Sequence, residues 1–141
     1  LHPLVKKDWF IIKALDINDT TNVLYDLSKN TKKWDLKNTF IYALDKNQVG
    51  IMNILGVDVG IIDSVSSNRF IVTINYPNGS KSFHEYSEIK ITKSLITYTF
   101  RRWDLSSNGD SKYLQYGYYA TCKPSKKVIA KPTFKEIEKK R

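Results

Sequence analysis

The clearest regularity along the chain is an alternation with a period of two. Phe70, Val72, Ile74 and Tyr76 alternate with Ile71, Thr73 and Asn75, the pattern of an extended segment with one face more apolar than the other. Tyr76-Pro77-Asn78-Gly79-Ser80 comes next, where Pro77 fixes a corner and Asn-Gly tolerates positive φ, so a hairpin is predicted with its return strand over residues 81–86. Residues 94–103 form another predicted strand, with Leu95, Thr97 and Thr99 opposed to Ile96, Tyr98 and Phe100. A second Asn-Gly turn over residues 106–110 leads into residues 113–122, which set Leu114, Tyr116, Tyr118, Ala120 and Cys122 on one expected face.

The first half is less regular. Residues 9–15, rich in Trp, Phe, Ile and Leu, read as a buried strand closed by a polar turn over residues 16–22, and residues 23–27 as a second strand. Residues 28–38 read as a loop or short helical turn carrying Trp34, followed by apolar runs at residues 40–44 and 49–54 and a strand bracketed by Gly56 and Gly60. Strands therefore recur every 10 to 15 residues with turns between them and no βαβ alternation. The predicted fold is all-β and mainly antiparallel, a small barrel or sandwich with a short C-terminal helix or basic tail. Residues 1–122 are assigned to the β domain and residues 123–141 to a basic extension packed on it. In that extension Thr133 is a candidate helix cap, and Phe134 and Ile137 a small apolar face.

Composition sharpens this picture only in places. A chain of 141 residues suffices for one hydrophobic core without staples. The net charge of +9 is concentrated at the end, where residues 123–141 hold eight basic and two acidic side chains. Such a balance favours acidic partners but does not choose among nucleic acid, anionic lipid and protein. No apolar run reaches the length of a membrane-spanning helix. The sequence starts at Leu1 rather than Met, which is compatible with a removed leader or anchor, and a bacterial cell-envelope or secreted location is favoured over the cytoplasm.

Few residues carry recognisable chemistry. Of the two histidines, His2 is expected to be solvated near the terminus and His84 to sit on a strand face; neither has metal-ligand spacing. Asp16-Ile17-Asn18-Asp19 resembles the start of a calcium loop, but Thr21 and Leu27 stand where its glycine and closing glutamate belong. Ser82 and His84 lie two apart on one strand face, without a G-x-S-x-G elbow. The single cysteine, Cys122, reads as a small buried hydrophobe and excludes an intramolecular disulfide. Asp58, Asp63, Glu85, Glu88 and Asp104 read as solvated carboxylates, and Gly56-Val57-Asp58-Val59-Gly60 as no phosphate loop. Neither cofactor nor metal is predicted, and these residues argue against an enzyme more than for one.

The most suggestive group is late in the chain. Tyr98, Arg101, Arg102 and Trp103 on one strand and Tyr116, Tyr118 and Tyr119 on the next become neighbours if the second Asn-Gly turn pairs them. Tyr, Trp and Arg are the residues that dominate protein interfaces, so the first expectation is a non-enzymatic binding protein of inhibitory or immunity type that engages a protein partner through these residues. A second is a small carrier of an apolar ligand enclosed by Phe70, Val72, Tyr98 and Phe100. The third is a nucleic-acid-binding module, compatible with the basic end but without a module motif.

Overall fold

The structure is a computed structural model that describes residues 1–106, 108, 109 and 111–139. Ser107 and Asp110 of the predicted second turn, and Lys140 and Arg141 of the basic extension, lie outside the described residues. A 3-10 turn, Pro3–Lys6, precedes strands β1 (Trp9–Asp16), β2 (Asp19–Asp26), β3 (Thr31–Lys32), β4 (Phe40–Ala43), β5 (Gln48–Asn53), β6 (Gly56–Asp63), β7 (Phe70–Asn75), β8 (Lys81–Ile91), β9 (Ile96–Leu105) and β10 (Lys112–Pro124), and helix α1 (Phe134–Lys139) follows. All strand pairs are antiparallel, so the fold class is the all-β one the alternation predicts.

The described strands form one sheet in the order β3-β2-β1-β10-β9-β8-β7-β6-β5-β4. Every neighbour in it is also a neighbour in sequence except β1 and β10, which pair from Trp9↔Pro124 to Asp16↔Tyr118. The sheet is not closed, because its two ends, β3 and β4, do not pair with each other. It nevertheless rolls on itself into a barrel- or sandwich-like shape: Trp9 of β1 meets Phe40 of β4 at 5.0 Å between ring centroids and Tyr98 of β9 at 5.6 Å. Burial of Trp9, Ile11, Phe70, Val72, Ile96, Tyr98 and Cys122 defines the packed end of the interior. Cys122 is buried there, and its surroundings push the thiol pKa up.

Local chemistry accounts for the turns. Gly79 takes φ +87°, the Tyr76 N–H donates to the Ser80 carbonyl at 2.9 Å, and Asn78 Oδ1 accepts from the Ser80 N–H at 2.9 Å. The polar cluster expected as a turn over residues 16–22 is partly strand. Asp16 Oδ1 accepts from the Asn18 N–H at 2.9 Å, which confines the turn to Ile17 and Asn18, and the polar start of β2 is exposed. Besides the register shifts of β1 against its neighbours, two irregularities redirect β8 and β10. Between Ser87 and Lys90, β8 carries one extra residue against β9, with Glu88 at φ +52°, and so runs on to Ile91. Between Leu114 and Tyr116, β10 likewise carries an extra residue, so Leu114 opposes Trp103 while Tyr116 opposes Arg102. This corrects the expected shared face. Leu114 goes with outward-facing Trp103, and Tyr116, Tyr118, Ala120 and Cys122 point inward.

His2 also departs from expectation: it is buried, at 1% exposure. Its Nδ1 accepts from the Leu4 N–H at 3.0 Å, which leaves the proton on Nε2 to donate to the Ser67 carbonyl at 2.8 Å. The residue caps the 3-10 turn that drives Leu4 and Val5 into the core, and that role removes it from solvent.

The C-terminal segment lies across β4. Tyr42 Oη donates to the Pro132 carbonyl at 2.7 Å, and Asp8 accepts from the Ile129 N–H at 2.9 Å and pairs with Lys131 at 2.5 Å. In a reciprocal capping arrangement, Thr133 Oγ1 accepts from the Glu136 N–H at 3.2 Å while Glu136 Oε1 accepts from the Thr133 N–H at 3.3 Å. Ile137 is buried but Phe134 is 40% exposed, so only half of the expected apolar face docks.

Burial acts to raise the Asp8 carboxyl pKa, and the Lys131 hydrogen bond, the Ile129 N–H and the Lys131 charge together outweigh it, leaving the group below its ordinary value. The folded pKa being the depressed one, this attachment is fully present above the ordinary carboxylate pKa of about 3.9 and is lost only as pH falls through the lower folded value. Asp8→Asn at pH 7 is therefore expected to loosen the segment and cost about 1–3 kcal/mol. Limited proteolysis at Lys126, Lys127 or Lys131 should accelerate while the sheet's circular dichroism is unchanged.

Candidate functional site in the interior pocket

The sheet's alternation divides the sequence-predicted residues between two faces. On β9, Tyr98, Phe100 and Arg102 point inward and Thr99, Arg101 and Trp103 outward; on β10, Tyr116 and Tyr118 point inward and Tyr119 outward. Tyr98 and Tyr118 are 3% exposed, whereas Tyr119 is 37% exposed. The residues predicted to bind a partner thus divide into an interior set, Tyr98, Arg102, Tyr116 and Tyr118, and an exterior set, Arg101, Trp103 and Tyr119.

Outside, Arg101 and Trp103 belong to a network around Glu85 of β8. Arg69 donates to Glu85 Oε2 through Nε at 3.1 Å and Nη2 at 2.8 Å, Trp103 Nε1 donates to Oε1 at 3.4 Å, and Arg101 stands 4.0 Å from the same oxygen. Lys112 sits over the Phe83 ring at 4.7 Å. Arg69, Phe83, Glu85, Trp103 and Lys112 line a shallow hollow of about 320 Å³ in which the polar groups named here are already paired.

Inside, the arrangement is different. Ser82, His84 and Tyr86 project inward from β8 because they alternate with Phe83, Glu85 and Ser87, and the register sets His84 between Val72 and Arg102. A pocket of about 280 Å³ opens here, walled on one side by His84, Tyr86, Phe100, Tyr116 and Tyr118. Opposite them stand Trp34 and Leu36, from the segment that spans the gap between β3 and β4, and Ile51 to Leu55 at the β5–β6 turn. Trp34 is held by its backbone N–H donating to the Leu24 carbonyl at 3.0 Å, and its ring meets Tyr116 and Tyr118 edge-on at 5.0 and 6.3 Å. Of the predicted interior set, Tyr116 and Tyr118 line this pocket and Tyr98 lies beneath it in the packed core. Of the residues expected to enclose a ligand, Phe100 lines it, and Phe70 and Val72 are core.

His84 is the chemical singularity. It is 7% exposed, and neither ring nitrogen has a hydrogen-bond partner among the described residues. Its ring stands edge-on to Phe100 at 5.3 Å. Burial, reinforced by the positive Arg102 nearby, holds the imidazole pKa down at about 3, so the ring is neutral at physiological pH and offers one N–H donor and one lone pair. Ser82, its neighbour on the same face, is 3.1 Å from Tyr76 Oη, and Arg102 pairs with Asp104 at 3.1 Å. Burial raises the phenol pKa of Tyr86 and Tyr118, keeping both neutral in the wall.

Four other hollows have larger volumes: about 470 Å³ between the β5–β6 turn and α1, about 330 Å³ beside Tyr25, Leu36 and Ile129, about 320 Å³ over Glu85, and about 580 Å³ beside Tyr76 and Pro77. None of the four holds a buried polar group lacking a partner among the described residues, and the interior pocket does. Among the described residues no group of three or more His, Cys, Asp or Glu side chains could hold a metal ion. No helix among them is long and apolar enough to cross a membrane.

Comparison with family models, with curated proteins and with solved structures finds no match. The site must therefore be read from its own geometry. His84, Trp34 and Leu36 were not singled out as site residues by sequence. The one available signal was that His84 takes an inward position of β8, where the neighbouring strands place Val72 and Phe100.

A buried imidazole without a partner is a cost to folding, which gives a direct check. His84→Leu is expected to stabilise the protein at pH 7 by about 1 kcal/mol, the scale of relieving an unsatisfied buried group. The unfolded ring binds a proton below pH about 6.5 while the folded ring does not until about 3, so wild-type stability falls with acid across that window. At about 1.4 kcal/mol per pH unit, the advantage of the variant should widen by about 2 kcal/mol between pH 6.5 and pH 5. Urea unfolding midpoints at the two pH values measure it.

Proposed function

We propose that this protein binds a small, mainly apolar ligand in the interior pocket and acts as a carrier of it. One observation supports the reading above the others: an aromatic-walled space of about 280 Å³ opens around a buried histidine that has no partner among the described residues. Ligand sites are concave, mostly apolar and furnished with a few convergent polar groups, and roughly 300 Å³ is the lower end of their usual size. An engineered apolar cavity of roughly 150 Å³ takes up benzene, so this pocket suits one or two rings rather than a long chain. The gap between β3 and β4 supports entry from the side, because Trp34 and Leu36 there belong to a loop and not to a hydrogen-bonded ladder.

The protein-partner reading has weaker support. Tyr98 and Tyr118 are buried, and Arg101 and Trp103 are engaged with Glu85, which leaves Tyr119 as the member of the set most accessible to a partner. Nucleic-acid binding rests on the charge of the C-terminal segment and on the aromatic residues, of which Tyr98 and Tyr118 are buried.

Trp34 provides the test, since it is one of three tryptophans and the one that lines the pocket. Titration with a panel of one- and two-ring aromatic compounds is expected to change tryptophan fluorescence saturably, with one site per chain by calorimetry. Trp34→Ala should abolish most of the signal and weaken binding about tenfold, the worth of one favourable aromatic contact. Absence of saturable binding by calorimetry across the panel would remove the carrier reading.

A further inference from the structure

We infer that the ligand carries a neutral hydrogen-bonding group, a hydroxyl or carbonyl on a one- or two-ring aromatic body, and that His84 selects it; the inference rests on the carrier reading above. The polar side chains beside His84 on the inner face are already engaged: Arg102 is paired with Asp104 at 3.1 Å, and Ser82 lies 3.1 Å from Tyr76 Oη. Of the other polar lining residues, Asp35 and Asn53 are exposed and accept from the Lys37 N–H at 3.1 Å and the Leu55 N–H at 2.8 Å, and Thr39 is half-buried; His84 is the buried one, at 7% exposure, with no partner for either nitrogen among the described residues. A group left unmatched in such surroundings discriminates strongly in favour of a ligand that matches it and against an isostere that does not.

Charge then narrows the class. A cationic head group held at His84 would lie beside Arg102, with Asp104 already engaged and the pocket's own carboxylate, Asp35, exposed to water rather than buried beside the imidazole. An anionic head group would find the guanidinium engaged as well, and would have to leave water for a neutral imidazole with the Asp35 carboxylate in the same lining. A neutral hydroxyl meets neither obstacle. It can accept from the imidazole N–H or donate to the imidazole lone pair, whichever tautomer is present. The aromatic part of the lining, Tyr86, Phe100, Tyr116, Tyr118 and Trp34, presents faces and edges suited to an aromatic ring.

The experiment compares 2-naphthol, naphthalene and protonated 2-naphthylmethylamine on the full chain by calorimetry at pH 7, for wild type and His84→Leu, each variant's fold checked by circular dichroism. Expected is a dissociation constant for 2-naphthol at least tenfold below that of naphthalene in the wild type, with the amine weakest. In His84→Leu the naphthol and naphthalene values should converge to within about threefold, through loss of naphthol affinity and not of naphthalene affinity. Equal binding of the two in the wild type, as expected if water satisfies His84, would overturn the inference while leaving the carrier reading intact. So would a naphthol preference that survives His84→Leu, or a preference for the amine. If none of the compounds binds, the carrier reading fails and this inference with it. If His84→Leu does not fold, His84→Phe and His84→Asn take its place, with naphthol preference lost in the first and partly kept in the second.

Discussion

Everything in the interior depends on the pairing of the first strand with the last. β1 and β10 meet from Trp9↔Pro124 to Asp16↔Tyr118, the one adjacency in the sheet not made by consecutive strands. A meander of hairpins can assemble from local contacts, but without this pairing its inner face would have no reason to roll up. The pairing sets Ile11 opposite Cys122 and Ala14 opposite Ala120, and brings Trp9 against both Tyr98 and Phe40. Gly117 shows how tightly the register is set on the other side of β10: a Cβ there would lie 2.6 Å from the Phe100 carbonyl. Such non-local pairing closes a loop of about the whole chain, which is the slow kind of contact to form.

Packing is uneven along the interior, and that unevenness generates the site. At one end the aromatic rings are in direct contact, Phe70 with Tyr86 at 4.8 Å and Phe100 with Tyr118 at 5.0 Å. Toward the other end the inward positions turn polar, through His84, Ser82, Arg102 and Asp104, and close pairings such as Arg102 with Asp104 take over. The pocket falls at the boundary between these regimes. A single chemical fact, a neutral imidazole without a partner among the described residues, marks where the alternation of core and polar end is left incomplete.

The alternation at residues 70–76 and the Asn78-Gly79 turn made the central hairpin legible, because a period of two and a residue that tolerates positive φ are local properties. The antiparallel all-β class followed from the same rhythm. Bulges were not legible: nothing in the sequence near Gln115 announces that Leu114 and Tyr116 face opposite ways, and that shift decides which tyrosines reach the pocket. The Tyr/Trp/Arg group was visible, but its division between inner and outer faces depends on where each strand's register falls. His2 and His84 were read by location along the chain, and both gained their character from distant partners, Ser67 and Phe70 for one, Phe100 and Arg102 for the other. The β3–β4 gap was invisible for a similar reason: β3 is two residues long and occurs where composition suggests a loop.

That gap has a consequence for the company the folded chain keeps. An open sheet normally exposes two strand edges, each a template onto which a foreign strand can add and begin aggregation. Here one edge is Thr31–Lys32, too short to hold a guest and carrying a lysine, and the other, Phe40–Ala43, has the C-terminal segment across it through Tyr42 and Pro132. The sheet stays open between β3 and β4 and still offers other chains almost no ladder to extend.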